Sequence, residues 1–278
     1  MSKFFEVLNL KKFNILLNLP TNFTRKLMHD SKLICSADMW DEKSKDYPEF
    51  EPNMKFENQI LDFVEKNCFK FENKSVIDIG AGTGIYSINM ALRGAKVSAF
   101  DISKNMLNKL ENSAKIHNIQ HIKTIHADFC TYETNDKFDI LTCFMSPALN
   151  DEKVYEKLIS LPKIGLCLLG WAGVRNSAVL QASFESCGEK IHAHHSFDKL
   201  RKFLNLKNIK FKSEFFENEW EKTATLQDFV KSQTWHLKMH GCTPNPKKIA
   251  KALEKFADKN GLITNKTYVR LELLTCVF

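Results

Sequence analysis

The sequence predicts an α/β fold: a mostly parallel sheet with helices on both faces. Three observations carry that reading. From Ser75 onward, short apolar runs alternate with segments of helical spacing, the pattern of strands joined by crossover helices. The strand-like run Val76–Ile79 opens directly into a glycine-rich turn, Gly80 to Gly84, and then into a helical pattern. Finally, an acid stands at or just beyond the end of three successive strand-like runs, at Asp78, Asp101 and Asp128.

In order, Phe56–Asn67 has helical spacing at Ile60, Phe63 and Val64. Ser75–Ile79 is the first strand, Ile85–Leu92 a helix, Lys96–Phe100 the second strand, Asn105–His117 a helix, and Ile122–His126 the third strand. Phe138–Phe144 and Gly165–Trp171 are the fourth and fifth. Helical stretches at Asn176–Cys187 and Ser196–Leu204 precede a sixth strand, Ile209–Phe216, and Thr267–Phe278 is the last. Between these two lie helical patterns at Thr223–Gly241 and Pro246–Lys259, with apolar faces at Leu226, Phe229, Val230, Ile249, Leu253 and Phe256. The expected organisation is one domain: an N-terminal arm (1–55), an α/β core (56–218), a helical insert (219–265) and a closing strand (266–278).

Composition excludes several classes. With 44% hydrophobic and 26% charged residues, the chain is neither disordered nor collagen-like nor a coiled coil. Its longest uncharged apolar run, Gly165–Val174, is half the ~20 residues a membrane span needs. Lys3, Lys11 and Lys12 are interrupted by Glu6 and several Asn, and no small-residue cleavage site follows, so no signal peptide is expected. A soluble, cytoplasmic protein is the expectation. The eight cysteines (35, 68, 130, 143, 167, 187, 242, 276) form no CxxC pair and read as reduced thiols. The net charge of +7 comes from 35 Lys against 5 Arg; without Arg clusters it leaves RNA binding open but does not favour it.

The chemistry sits in Val76-Ile77-Asp78-Ile79-Gly80-Ala81-Gly82-Thr83-Gly84. Its spacing is GxGxG with Ile at 85, so the GxGxxG dinucleotide fingerprint fails. Asp78, at the mouth of the turn, would repel a pyrophosphate but attract a ligand bearing an ammonium and a sulfonium. Asp101 is placed to accept from two ribose hydroxyls, and Asp128 from an adenine amino group that Phe129 could cover.

At these residues the chain resembles the class I S-adenosylmethionine-dependent methyltransferases, from about Ser75 to Ser146 and more loosely beyond. The resemblance implies a Rossmann-like, seven-stranded sheet in the order 3-2-1-4-5-7-6, with the last strand antiparallel. It implies S-adenosyl-L-methionine as cofactor, its methionine part on Asp78, Gly80, Ala81, Gly82 and Gly84. The ribose would lie on Asp101 with Ile102 and Met106 nearby, and the adenine amine on Asp128 with Phe129. The family's fourth motif falls at Phe144-Met145-Ser146-Pro147, making Phe144 and Ser146 cofactor candidates as well. Ser146-Pro147 lacks the Asn/Asp and the aromatic that hold a planar amine, which argues against nucleobase-amine and glutamine targets; it reads equally as a strand-ending turn.

The substrate should lie outside the carboxyl ends of the strands. There the fold would bring the arm, with Trp40, Asp41 and Tyr47, the segment after strand five, with Trp171 and Arg175, and the insert, with Trp220, Trp235, His236 and His240. Trp40, Trp171, Arg175 and Trp235 are the substrate candidates; Tyr47, His236 and His240 are the candidates for a base. The four tryptophans could equally cement arm and insert to the sheet. His192-Ala193-His194-His195 lacks a partner at ligand spacing and reads as a solvated loop, so no metal is expected. The reading is a methyltransferase acting on a small-molecule acceptor. RNA methylation, a non-catalytic cofactor-binding protein and transfer of another part of the cofactor are the alternatives.

Overall fold

A computed structural model describes residues 36–278. The expectations for the amino-terminal leader, for Cys35 and for most of the arm lie outside the described residues. Within them, sixteen helices and strands follow in chain order. The arm contributes α1 (Ala37–Ser44), and α2 (Lys55–Asn67) leads into the sheet. Then come β1 (Ser75–Ile79), α3 (Ile85–Leu92), β2 (Lys96–Asp101), α4 (Lys104–Ile116), β3 (Ile122–His126) and β4 (Phe138–Phe144). Two 3₁₀ turns, Pro147–Leu149 and Glu152–Val154, precede α5 (Tyr155–Ser160) and β5 (Pro162–Asn176). The remainder is α6 (Ala178–Ser186), α7 (Asp198–Leu206), β6 (Lys212–Thr225), α8 (Leu226–Met239), α9 (Pro246–Leu253) and β7 (Leu262–Val277).

The seven strands lie in the order β3-β2-β1-β4-β5-β7-β6. β1 through β5 pair in parallel, and β7 runs antiparallel to both β5 and β6. Strand alternation sorts the core into two layers. Val76, Val97, Ile140 and Leu273 face α2, α3 and α4, through Ile60, Met90 and Leu110. Ile77, Phe100, Leu141 and Leu274 face α5 and α7, through Leu158, Leu200 and Leu204. A third, separate cluster joins α6, α8 and α9 through Phe184, Phe229, Leu237 and Ile249.

An ion pair is buried at the far side of this frame from the glycine turn. Glu272 of β7 is 1% exposed, and both its carboxylate oxygens accept from Arg201 Nη1, at 2.5 and 2.6 Å. Ser213 Oγ also donates to it at 2.5 Å. A carboxylate at that depth is tolerable because its partners replace the lost water.

Most expected boundaries fall within two residues of the observed ones; the last three strands are longer. β6 continues to Thr225 and β7 begins at Leu262, so the expected helical insert 219–265 opens and closes as β-ribbon, and its helical part is α8 and α9 with the Glu254–Phe256 turn. The ribbon residues 217–225 are mostly exposed, so no buried alternation marks them as strand. β5 likewise runs past Trp171, through a register shift against β7, to Arg175 and Asn176.

Candidate active site

The turn after β1 is built on left-handed backbone. Gly80 and Gly82 have φ of +68° and +57°, a region closed to most side chains. The two glycines do different work. A Cβ at Gly80 would lie 2.0 Å from Ser146 Oγ, so the turn and the residue after β4 are in close approach. A Cβ at Gly82 would meet nothing within 4 Å, which leaves a cradle beside the backbone.

Two carboxylates flank that cradle. Asp78 does not stand at the mouth of the turn: it is 2% exposed and lies beneath it, accepting from Ser87 Oγ at 2.5 Å and Thr142 Oγ1 at 2.8 Å. Burial raises its pKa to about 6, against the two hydroxyl donors that pull it down. Asp101, at the end of β2, holds the turn from the side, accepting from Gly82 N and Ser103 N, each at 2.8 Å. Burial raises its pKa too, opposed by those backbone donors. Each acid therefore keeps spare acceptor capacity in a poorly hydrated place, which suits a ligand with hydroxyls and positive charge.

The remaining cofactor candidates divide. Ala81 and Tyr86 pack beside the core layer under the turn, and the Tyr86 ring lies 4.4 Å from that of Phe144. Gly84 is the left-handed residue preceding α3. Ser146 caps the first 3₁₀ turn, accepting from Ala148 N at 3.3 Å, so the strand-ending-turn reading and proximity to Gly80 hold together. Ile102 O contacts His126 Nε2 at 3.0 Å, and Met106 is buried in α4. Asp128 accepts from Cys130 N at 2.8 Å in a local turn. Phe129 is packed in the core rather than laid over the pocket: it is 3% exposed, edge-on to Phe100 at 5.6 Å, with Lys157 Nζ 5.3 Å from its ring.

The arm folds over this end of the sheet through contacts the sequence did not announce. Asp41 Oδ1 accepts from Ser103 Oγ at 2.5 Å and Asn105 N at 3.1 Å, and Thr83 Oγ1 donates to Pro48 O at 2.5 Å. Between those anchors lies Tyr47, whose hydroxyl pKa is raised by burial and then by the charge of Asp101. Trp40 bridges outward, its ring 6.4 Å from Tyr47 and 5.5 Å from Trp235 of α8.

The substrate candidates are brought together. The Arg175 guanidinium lies 5.1 Å over the Trp171 ring, Trp171 is edge-on to Trp220 at 5.9 Å, and Arg175 Nη2 is 3.5 Å from His236 Nε2. His236 sits 5.2 Å from Trp235 ring to ring. Burial first, then Arg175 and Lys43, push the His236 pKa well below the usual imidazole value, so its ring is neutral near pH 7. His240 lies one turn on, edge-on to Phe184 at 5.3 Å. Lys43, 4.9 Å over the Trp235 ring, is a member of this cluster that sequence reasoning missed. In the histidine loop, His195 pairs with Ala172 as an isolated bridge. Among the described residues no group of three or more His, Cys, Asp and Glu is arranged to hold a metal.

The strand order with its reversed β7, the glycine turn and the acids beside it are the arrangement that the resemblance to class I S-adenosylmethionine-dependent methyltransferases implied. Residues 76–161 match the family described as a methyltransferase domain. Over 139 residues the chain is 29% identical to the ubiquinone biosynthesis O-methyltransferase of Chromobacterium violaceum, covering 48% of this chain and 54% of that protein. With its namesake from Pseudoalteromonas translucida it shares 33% identity over 101 residues, 34% of this chain and 41% of that one. The chain thus spans about half, or less, of the curated relatives it matches. The structure of the YcgJ protein from Bacillus subtilis superposes with a TM-score of 0.52 at 14% identity, covering 79% of this chain and 98% of that one. Magnesium protoporphyrin IX methyltransferase from Synechocystis PCC 6803, solved with bound S-adenosylhomocysteine, gives 0.51 at 17% identity, covering 67% and 92%. At those identities the structures share the fold. No helix among the described residues is long and apolar enough to cross a membrane.

Proposed function

We propose that this protein is an S-adenosylmethionine-dependent methyltransferase acting on a small-molecule acceptor held between the sheet, the arm and the α8–α9 segment. The observation that carries the reading is the open cradle at Gly82, flanked by the buried carboxylates of Asp78 and Asp101. These residues fit the cofactor. Asp101 would accept from the ribose hydroxyls, Asp128 would serve the adenine edge, and Asp78 would favour the positive charge from beneath the turn. When bound, S-adenosylmethionine supplies a methyl group already activated by its sulfonium.

The chain's own contribution is then alignment, exclusion of water and, where the acceptor needs it, removal of a proton. Tyr47, Trp40 and Trp235 close the side of the site left open by the sheet. His236, held neutral by burial and by the charges of Arg175 and Lys43, is our candidate base. The relatives' name, ubiquinone biosynthesis O-methyltransferase, favours a small acceptor over RNA. We also assign the arm and the α8–α9 segment the role of a lid. The test is twofold: calorimetric titration with S-adenosylhomocysteine, and incubation of metabolite and RNA pools with methyl-labelled cofactor. Saturable binding and label in a small-molecule fraction are expected; label in RNA alone overturns the acceptor class, and no binding overturns the reading.

A further inference from the structure

Arg175 is anomalous among the described arginines. Arg93 is held by Asp62 and Glu65, Arg201 by Glu272 and Asp198, and Arg270 is an exposed residue stacked on Phe215. Arg175 is half-buried, yet among the described residues no carboxylate lies within ion-pair distance of it. Its Nε is buried and has no hydrogen-bond partner. Nη2, on the same edge of the guanidinium, has only the neutral ring of His236 at 3.5 Å. That edge is the fork that receives a carboxylate in two parallel hydrogen bonds.

The surroundings deepen the anomaly. Loss of solvent pulls the Arg175 pKa down to about 10. Two lysines, Lys43 and Lys222, stand close enough to depress the same histidine, and His240 beside them, its pKa pulled down to about 4 by burial, is neutral. The one acid acting on Lys43, Asp46, is itself 3.3 Å from Lys231. Holding the charges of Arg175 and Lys43 away from water is unfavourable for the free protein, and an anion arriving there would relieve it. The backbone is also arranged for it, since the register shift in β5 falls between Trp171 and Arg175 and re-aims the strand at that point. The walls are flat and apolar: Trp171 lies under the guanidinium and Trp235 beside His236.

Resting on the methyltransferase reading of the same site, we infer that the acceptor is a planar ring bearing a carboxylate, which docks on the Nε–Nη2 edge of Arg175 between Trp171 and His236. Lys43 and Lys222 supply the longer-range attraction, and the ring itself stacks among the indoles. A carboxylate bound there would also raise the proton affinity of His236, bringing it closer to use as a base.

The experiment uses the 278-residue chain and three probes, benzoate, benzamide and phenyl phosphate, with tryptophan fluorescence and calorimetry as readouts, each in the presence of S-adenosylhomocysteine. Benzoate should bind and perturb the fluorescence, benzamide should bind at least tenfold more weakly, and phenyl phosphate should not exceed benzoate. Arg175→Gln should weaken benzoate at least tenfold, and Arg175→Lys should recover part of that loss, because it restores the charge but not the fork. Equal binding of benzoate and benzamide, unchanged benzoate binding in Arg175→Gln, or a preference for phenyl phosphate would each overturn the inference. S-adenosylhomocysteine titrated into the same preparations separates the two claims: its failure to bind counts against the methyltransferase reading, whereas its normal binding beside a failed benzoate arm counts against the carboxylate site alone. Removing an unpaired, half-buried charge should not unfold the protein, and a melting curve for each variant verifies that.

Discussion

The Asp41 carboxylate accepts from Ser103 Oγ at 2.5 Å across 62 positions of sequence, and from the N–H of Asn105 at 3.1 Å. Ser103 is the N-cap of α4 and its hydroxyl oxygen also accepts from Met106 N. The arm thus ends on a helix N-terminus, where a negative charge and an acceptor are both wanted. It does so two residues from Asp101. Asp41→Ala should destabilise the protein by about 0.5–2 kcal/mol. Urea midpoints measure the loss, and amide exchange across 37–47 should speed up more than exchange in β1 or β4. Equal change in both regions would mean that Asp41 does not fasten the arm.

Asp101→Ala removes the acceptor for Gly82 N and Ser103 N together with the proposed ribose contacts. Charge-assisted hydrogen bonds contribute on the order of 1.5–3 kcal/mol, so S-adenosylhomocysteine should bind roughly ten to a hundred times more weakly. Calorimetry on a variant shown to be folded by its melting curve is the measurement. Wild-type affinity would remove Asp101 from the site.

Gly80 and Gly82 should respond differently to alanine. Gly80→Ala adds a clash with Ser146 Oγ to the cost of a positive φ, whereas Gly82→Ala adds only the latter, about 1–2 kcal/mol. Gly80→Ala should therefore melt lower, and Ser146→Gly in the same chain should restore part of the difference. Gly82→Ala should keep most of its stability and lose cofactor binding, because its methyl group enters the cradle; Gly82→Val should abolish binding outright. A Gly82→Ala variant with undiminished affinity would show that ligand does not approach there.

Asp78 is protonated more readily in the fold, at about 6, than in the unfolded chain, near 3.8. Between those values the folded protein holds the extra proton, so stability falls as pH rises through about 4 to 6 and levels off above. Two pKa units correspond to about 3 kcal/mol as an upper figure. Denaturant unfolding at several pH values should show this slope in the wild type and a shallower one in Asp78→Asn. Parallel slopes would place the titrating group elsewhere.

Glu272 offers a test of the frame. Arg201→Met alone strands a carboxylate that is 1% exposed and should cost about 3–5 kcal/mol, while Arg201→Met with Glu272→Met should recover most of it. Chemical denaturation of the two variants is sufficient. A double variant as unstable as the single would mean that packing, not charge, is what Arg201 provides.

The sheet was legible because buried strands write themselves in apolar runs, and Ser75–Ile79, Ile122–His126 and Phe138–Phe144 fall where the pattern puts them. The outer half of β6 was not, since Glu217, Glu219 and Glu221 are strand residues with no core to face. In the site, the glycine turn and its acids carried a local signature, but the direction of Asp78 did not. Its partners, Ser87 and Thr142, are ordinary residues on a helix and on another strand, chosen only by folding. Phe129 reads in sequence like a cover for a ligand ring and turns out to be committed to Phe100 and Lys157. The gathering of Arg175, His236 and Lys43 from three distant segments was half visible: topology brings the first two to one end of the sheet, while Lys43 depends on where the arm lands.

The β6–β7 ribbon has a mechanical consequence. The last β5 partner of β7 is Asn176, opposite Tyr268, and from Thr267 to Leu262 the only strand paired with β7 is β6, with an isolated bridge from Ile263 to Ala257 on the other side. The chain enters the α8–α9 segment at Thr225 and leaves it at Leu262, and those two residues are one cross-strand pair, about 5 Å apart. The ends of the segment are therefore already held together by the ladder below them, and its length adds little further closure entropy. Apart from its own side chains, the buried residues of its apolar cluster come from α6 and from Ile263 of β7, so the segment behaves as a cassette on a two-stranded stem. A replacement of different length or shape has to start and finish at that one pair and to cover the apolar face of α6, and it leaves the glycine turn and its acids untouched.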